Sequence, residues 1–333
     1  MEMPETRSGG PETQREGPGT QQSGPETQAA SPPLRLPFTE KYGISPVLFG
    51  SLSLVAVFVT YQMIGGMASY LIFGSSVPGA AQVSGYRLAT ALGELLLVLG
   101  PALILVRFAT LSPRSFLRLS LPDARTLLVP LIGVLSLQEM LQIYLVFQEK
   151  IPLPDELQTI VTQFRELFEQ LYRLLVTSSS VPELVSVIIV IALIPALAEE
   201  FLFRGLIQRS FEKSLGPVRA FVLTGIIFGA YHLDPFSFVP LAVLGIYLGF
   251  VAYRANSLWS SIAAHFFNNA LVCVASYFHM DKDSVIVGDP AKLSGGALLA
   301  IFWFSGVVFL VATLYFIRIT GSRPDKTGFG ASS

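Results

Sequence analysis

Eight apolar runs follow one another along the chain, at about 46–73, 86–106, 126–147, 181–208, 218–233, 236–253, 258–279 and 295–317. A helix rises ~1.5 Å per residue, so roughly 20 apolar residues cross a hydrocarbon core ~30 Å thick. The fold class this predicts is all-α, a polytopic transmembrane helical bundle of about eight spans. The run at 218–233 is short and ends against a tight Asp234-Pro235 turn. Composition agrees: 14% of the residues are charged, against about 25% in soluble domains. Most side chains here therefore never meet water. The expected setting is a lipid bilayer, as a multi-pass integral protein, in the plasma membrane if the source is bacterial. The net charge of −1 leaves no basic excess for a nucleic-acid partner. One cysteine, Cys273, excludes a disulfide framework within the chain.

Two stretches differ from the apolar runs. Residues 1–40 are rich in Pro, Gly, Glu, Thr and Gln, with Pro-Glu-Thr recurring at Pro4, Pro11 and Pro25. Such a stretch has too little apolar content to offset the entropy of ordering and is expected to be a disordered tail. Residues 155–176 alternate Glu156, Arg165, Glu166, Glu169 and Arg173 with apolar residues at helical spacing. That pattern predicts an amphipathic helix on the membrane surface. The expected organisation is a tail (1–40), N-terminal spans plus the amphipathic helix (41–177), a core carrying the chemistry (178–280), and a last span with a short tail (281–333).

Positive charge sets the predicted orientation. Arg107, Arg114, Arg118 and Arg125 follow the second run, and Arg209, Lys213 and Arg219 follow the fourth. Arg254 follows the sixth, and Arg318, Arg323 and Lys326 follow the eighth. The alternate connections are poor in positive charge: 74–86 is uncharged and 281–283 is Asp-Lys-Asp. Both termini are thus expected on the cytoplasmic side.

Ionisable groups inside a bilayer are costly and need a reason to be there. In Ala198-Glu199-Glu200-Phe201-Leu202-Phe203-Arg204, Glu200 and Arg204 are spaced i, i+4 with the acid first, the better order for a helical ion pair. Glu199 is turned about 100° away and is left to face another neighbour. Different surroundings are how two carboxyls divide the work of a base and a spectator. The bland alternative is an interfacial salt bridge. Gly216-Pro217 turns the chain 17 residues after Glu199 and 16 before His232, so the two lie level on an antiparallel helix pair. Phe228 sits one turn from His232. His265 and Asn269 are again i, i+4 and share a face, whereas Asn268 is expected to glue helices together. The third histidine, His279, follows them.

Glu199-Glu200…Arg204, Phe228…His232 and His265…Asn269 resemble, in order, the EExxxR, FxxxH and HxxxN motifs of the CAAX-protease and bacteriocin-processing (CPBP, Abi/Rce1-like) family of intramembrane endopeptidases. The resemblance covers roughly residues 199–269. It implies hydrolysis of membrane-associated peptide or protein substrates, prenylated CAAX proteins among them. Such chemistry needs an activated water and a stabilised oxyanion. By resemblance, Glu199 activates the water with His232. His265 and Asn269 donate to the oxyanion, and Glu200 and Arg204 hold Glu199 in place. Glu199, His232 and His265 are also a candidate set for zinc or another divalent metal, with a position left for water. The chain lacks HExxH. Family members are usually labelled metalloproteases and a glutamate-only mechanism is also argued, so both chemistries stay open at this stage. Two rival readings predict different features. A catalytically silent scaffold or immunity protein would keep the fold without the reaction. A transporter would use Glu94, Gln138 and Glu139, but it predicts internal repeats that the sequence does not show.

Overall fold

The computed structural model describes residues 36–74, 79–152, 154–278 and 293–321. The expected disordered tail lies outside these residues except at its end, where Phe38–Lys41 form a helical turn. The Phe38 ring packs edge-on against Phe108 at 5.4 Å, so that end of the segment is anchored by burial. Arg323, Lys326 and the acidic 281–283 connection also lie outside the described residues.

Nine longer helices carry the described chain: α1 (Pro46–Phe73), α2 (Val83–Ala109), α3 (Ala124–Glu149), α4 (Asp155–Val176), α5 (Val181–Leu215), α6 (Pro217–Tyr231), α7 (Phe238–Ala255), α8 (Leu258–Tyr277) and α9 (Gly295–Thr320). Seven of them are long and apolar enough to cross a membrane. The protein is an integral, multi-pass membrane protein. The remaining expected run, the short one at 218–233, forms the shorter apolar helix α6 of 15 residues, or roughly 22 Å. The helix stops at Tyr231 because His232 caps it and Leu233 turns left-handed at φ 55°. With α7 it packs as a hairpin.

Helix starts follow local chemistry. Ser45 accepts from Leu48 N at 3.3 Å ahead of Pro46, and Asp123 accepts from Thr126 N at 2.9 Å. Ser294 accepts from Ala297 N at 3.3 Å. Each satisfies a donor that the first helical turn cannot. Gly216 separates α5 from α6 at φ 77°, a conformation that side chains resist.

The connections that carry the positive charge meet on one face. Arg118 pairs with Glu212 at 2.9 Å, joining the α2–α3 connection to the end of α5. Ser257 Oγ donates to Ser120 O at 2.7 Å, and Arg254 Nη2 to Ile317 O at 2.7 Å. The opposite face gathers the start of α2, the end of α3, α4 and the start of α5. There Arg87 donates to Leu174 O and Leu175 O at 2.9 Å each and pairs with Glu183 at 2.9 Å. Leu157, Ile160, Phe164 and Leu167 of α4 are exposed, as befits a helix lying in an interface. The tip of the α6–α7 hairpin reaches this helix, with Phe236 6.4 Å from Phe168 and 5.1 Å from the Arg165 guanidinium.

Burial follows the membrane's logic. Trp303, Phe304 and Leu71 face outward, while Glu94, Glu200, Arg204 and His265 are buried. Lipid is the apolar solvent outside, so the polar groups are the ones that must be enclosed.

Two pairs of glycines bring α6 and α7 together. A β-carbon on Gly225 would meet Ile246 N at 2.4 Å, and one on Gly245 would meet Gly225 Cα at 2.9 Å. Gly225/Gly229 and Gly245/Gly249 each show the small-xxx-small spacing that lets membrane helices approach backbone to backbone. That approach places the Gly245 and Gly249 carbonyls beside α5.

Candidate active site

α5 leaves regular α geometry twice, in π turns at Ile188–Leu193 and Phe201–Ile207. The glutamate pair sits on the short α segment between them, Ile194–Glu200. Pro195 lies at its start and cannot donate to Ile191 O, its i−4 carbonyl. Asn269 Nδ2 of α8 donates to that carbonyl instead, at 3.5 Å. The amide of Asn268 donates to Asn269 Oδ1 at 3.1 Å. A bond tying α8 to α5 is thus made by Asn269, and Asn268, the residue expected to join helices, supports it from the side.

Glu200 is the hub of a dry network. Its Oε1 accepts from Arg204 Nη1 at 2.7 Å and from His265 Nδ1 at 3.0 Å. Arg204 is almost fully buried, and its other terminal nitrogen donates to Gly245 O at 2.9 Å. Its guanidinium lies 4.6 Å from the Phe228 ring centroid, a favourable cation–π placement where water is excluded. A buried charge needs a partner and its hydrogen bonds, and here the hairpin backbone supplies part of them.

The network fixes one histidine. A carboxylate only accepts, so His265 carries a hydrogen on Nδ1 and turns Nε2 toward Glu199. Nε2 lies 3.9 Å from Glu199 Oε2. Glu199 Oε2 is buried and has no hydrogen-bond partner. Glu200 is thus engaged through Oε1 alone, and Oε2 of each glutamate is buried without a hydrogen-bond partner.

His232 is positioned separately. Its Nδ1 donates to Phe228 O at 2.8 Å, a carbonyl near the end of α6, which leaves Nε2 an acceptor in the neutral ring. The Phe228 ring stands between both imidazoles, 4.8 Å from His232 and 5.8 Å from His265, each edge to face. The structure therefore joins Glu199, Glu200, Arg204 and His265 by direct approach, His232 through Phe228, and Asn269 through the backbone of α5. The described residues do not fit a metal set: no group of three His, Cys, Asp or Glu side chains among them is arranged to hold an ion. Of the zinc candidates, only Glu199 and His265 face each other.

All these residues fall in one comparison. Residues 181–271 match the family model described as type II CAAX prenyl endopeptidase Rce1-like. No curated protein and no solved structure matches the chain. The matched segment begins with α5 and ends within α8, two residues beyond Asn269. It contains the three motifs in the order read from the sequence. It also contains Gly225, Gly229, Gly245 and Gly249, whose spacing is visible in the sequence as two small-xxx-small pairs. It does not contain Glu94 of α2, which is buried with Oε2 unpartnered. The π turn that Glu94 begins packs against the Ile194–Glu200 segment. Sequence patterning places Glu94 inside a span but gives no sign that it lies beside Glu199.

Proposed function

We propose that the chain is an intramembrane endopeptidase of the CAAX type, with residues 178–280 as its catalytic core and Glu199 as the base that activates water. The observation that carries this reading is the 3.9 Å gap between Glu199 Oε2 and His265 Nε2. It is too long for a hydrogen bond and suited to one water touching both atoms. The other nitrogen of His265 is already fixed by Glu200.

The reaction then runs on residues of this chain. Glu199 takes a proton from the water as its oxygen adds to the peptide carbonyl, and the Nε2 acceptor of His232 assists that removal. His265, when both its nitrogens carry hydrogen, donates from Nε2 to the oxyanion. Glu200 stabilises the resulting imidazolium through Nδ1, and Arg204 keeps Glu200 in place. Asn269 uses one amide hydrogen on Ile191 O and offers the other to the oxyanion. The substrate class is the prenylated CAAX peptide named by the family description. A lipidated chain end is suited to a site reached through the bilayer.

The test is cleavage of prenylated peptides by the purified protein in liposomes. Glu199→Ala and His265→Ala are each expected to lower kcat by about 10²–10⁴, the usual worth of general acid–base groups. Normal insertion of Glu199→Ala with full cleavage would end the assignment. Metal analysis, with assays before and after chelation, separates this reading from a zinc-dependent one; cleavage is expected to survive chelation.

A further inference from the structure

One buried acid is not used by this mechanism. Glu94 is 5% exposed, and its Oε2 has no hydrogen-bond partner. Its carboxyl is hydrogen-bonded by the Tyr61 hydroxyl. Tyr231, the neighbour of His232, is 7% exposed with an unpartnered hydroxyl. Its backbone carbonyl accepts from Gln62 Nε2 at 2.9 Å, and its ring meets Phe203 of α5 at 5.2 Å. The π turn of Glu94 packs against the α5 segment that carries Glu199 and against the π turn of Tyr61, so Tyr61, Glu94, Glu199 and Tyr231, from four helices, form one buried polar cluster.

The backbone marks the same place. Among the described residues, π turns occur at Val59–Gly65, Glu94–Leu99, Ile188–Leu193 and Phe201–Ile207. Tyr61 and Glu94 lie in the first two, and Glu199 lies between the last two. π turns are rare and frequent at functional sites.

The ion pairing differs between the acids. Arg204 pairs with Glu200, the residue next to Glu199, whereas among the described residues no ion pair reaches Glu94. The transferable proton is therefore assigned to the acid without a cation beside it.

We propose that Glu94 is the general acid of the same reaction, giving its proton to the leaving amine. This inference rests on the endopeptidase reading. Glu199 takes a proton from water while the water oxygen bonds to the carbonyl carbon. The C–N bond breaks as the nitrogen takes the Glu94 proton, leaving a free amine and a free acid. Glu199 then returns its proton to Glu94, and both carboxyls are as they began. One water is consumed, and no other reactant is needed.

The experiment compares an amide substrate with an ester of the same prenylated peptide bearing an acidic alcohol, which leaves without protonation. With the amide, Glu94→Gln is expected to lower kcat at least about 100-fold and to change KM by less than about threefold. With the ester, kcat is expected within about threefold of wild type, since no general acid is needed. Amide cleavage near the wild-type rate by Glu94→Gln overturns the proposal. So does an equal loss on both substrates, which is what a purely structural role produces. If Glu94→Gln fails to insert, Tyr61→Phe carries the test, with a loss of about tenfold expected on the amide alone. An equal change on both substrates, or none, again overturns the proposal. A silent wild type or an active Glu199→Ala would instead remove the endopeptidase reading beneath it.

Discussion

α5 carries polar groups every fourth residue, Glu200, Arg204, Gln208 and Glu212, and the two ends of this stripe differ. At the outer end both Glu212 oxygens are occupied. Arg118 donates to them at 3.0 and 2.9 Å, Gln208 donates to Oε1 at 3.0 Å, and Arg209 also pairs with the carboxylate. At the inner end Glu200 holds Arg204 and His265 through one oxygen, and the adjacent Glu199 has an oxygen with no partner. Polar residues at the same spacing thus give a braced carboxylate in one place and an open site in the other. What separates them is the carboxylate oxygen left without a partner on Glu199 and on Glu200, which costs free energy when buried and is retained where a reactant will use it.

The contrast can be broken by substitution. Arg204→Ala should have the largest effect on stability, about 3–5 kcal/mol, because it strands a buried carboxylate. Thermal unfolding in detergent should fall sharply and cleavage should disappear with the folded protein. Survival of the variant at wild-type stability would show that the pair is dispensable. Glu212→Ala should cost about 1–3 kcal/mol, the usual penalty for leaving buried partners unsatisfied. Its kcat per folded molecule should match wild type, and a loss as deep as that of Glu199→Ala would erase the distinction between the two ends. Arg165→Ala, which removes the 2.6 Å contact to the half-exposed Glu149, should change stability by less than about 1 kcal/mol. A larger shift in the melting curve would mean that α4 is held more firmly than its exposed pairing implies.

Much of the site was legible because it is local. The i, i+4 spacings of Glu200 with Arg204 and of His265 with Asn269 place those pairs on shared faces before any tertiary contact is known. Gly216-Pro217 puts Glu199 level with His232. What was not legible is pairing between distant helices. Nothing in the sequence near Glu94 points to α5, so that acid fitted a transport route as well as a hydrolytic one. The roles of the two asparagines turned on one backbone carbonyl denied its donor by Pro195. Hydropathy also overran α6, because Leu233 extends an apolar run without extending the helix. It underran α5, which continues to Leu215 because the partners of Gln208 and Glu212 repay their burial.

Where Gly225 rests on Gly245, main chain touches main chain with no side chain between to yield. The contact works as a detent inside the hairpin: α6 cannot ride up or down against α7 without one backbone passing through the other. Arg204 of α5 is bonded to the Gly245 carbonyl, so the height of His232 relative to Glu199 is set through this contact and rests on the absence of two methyl groups.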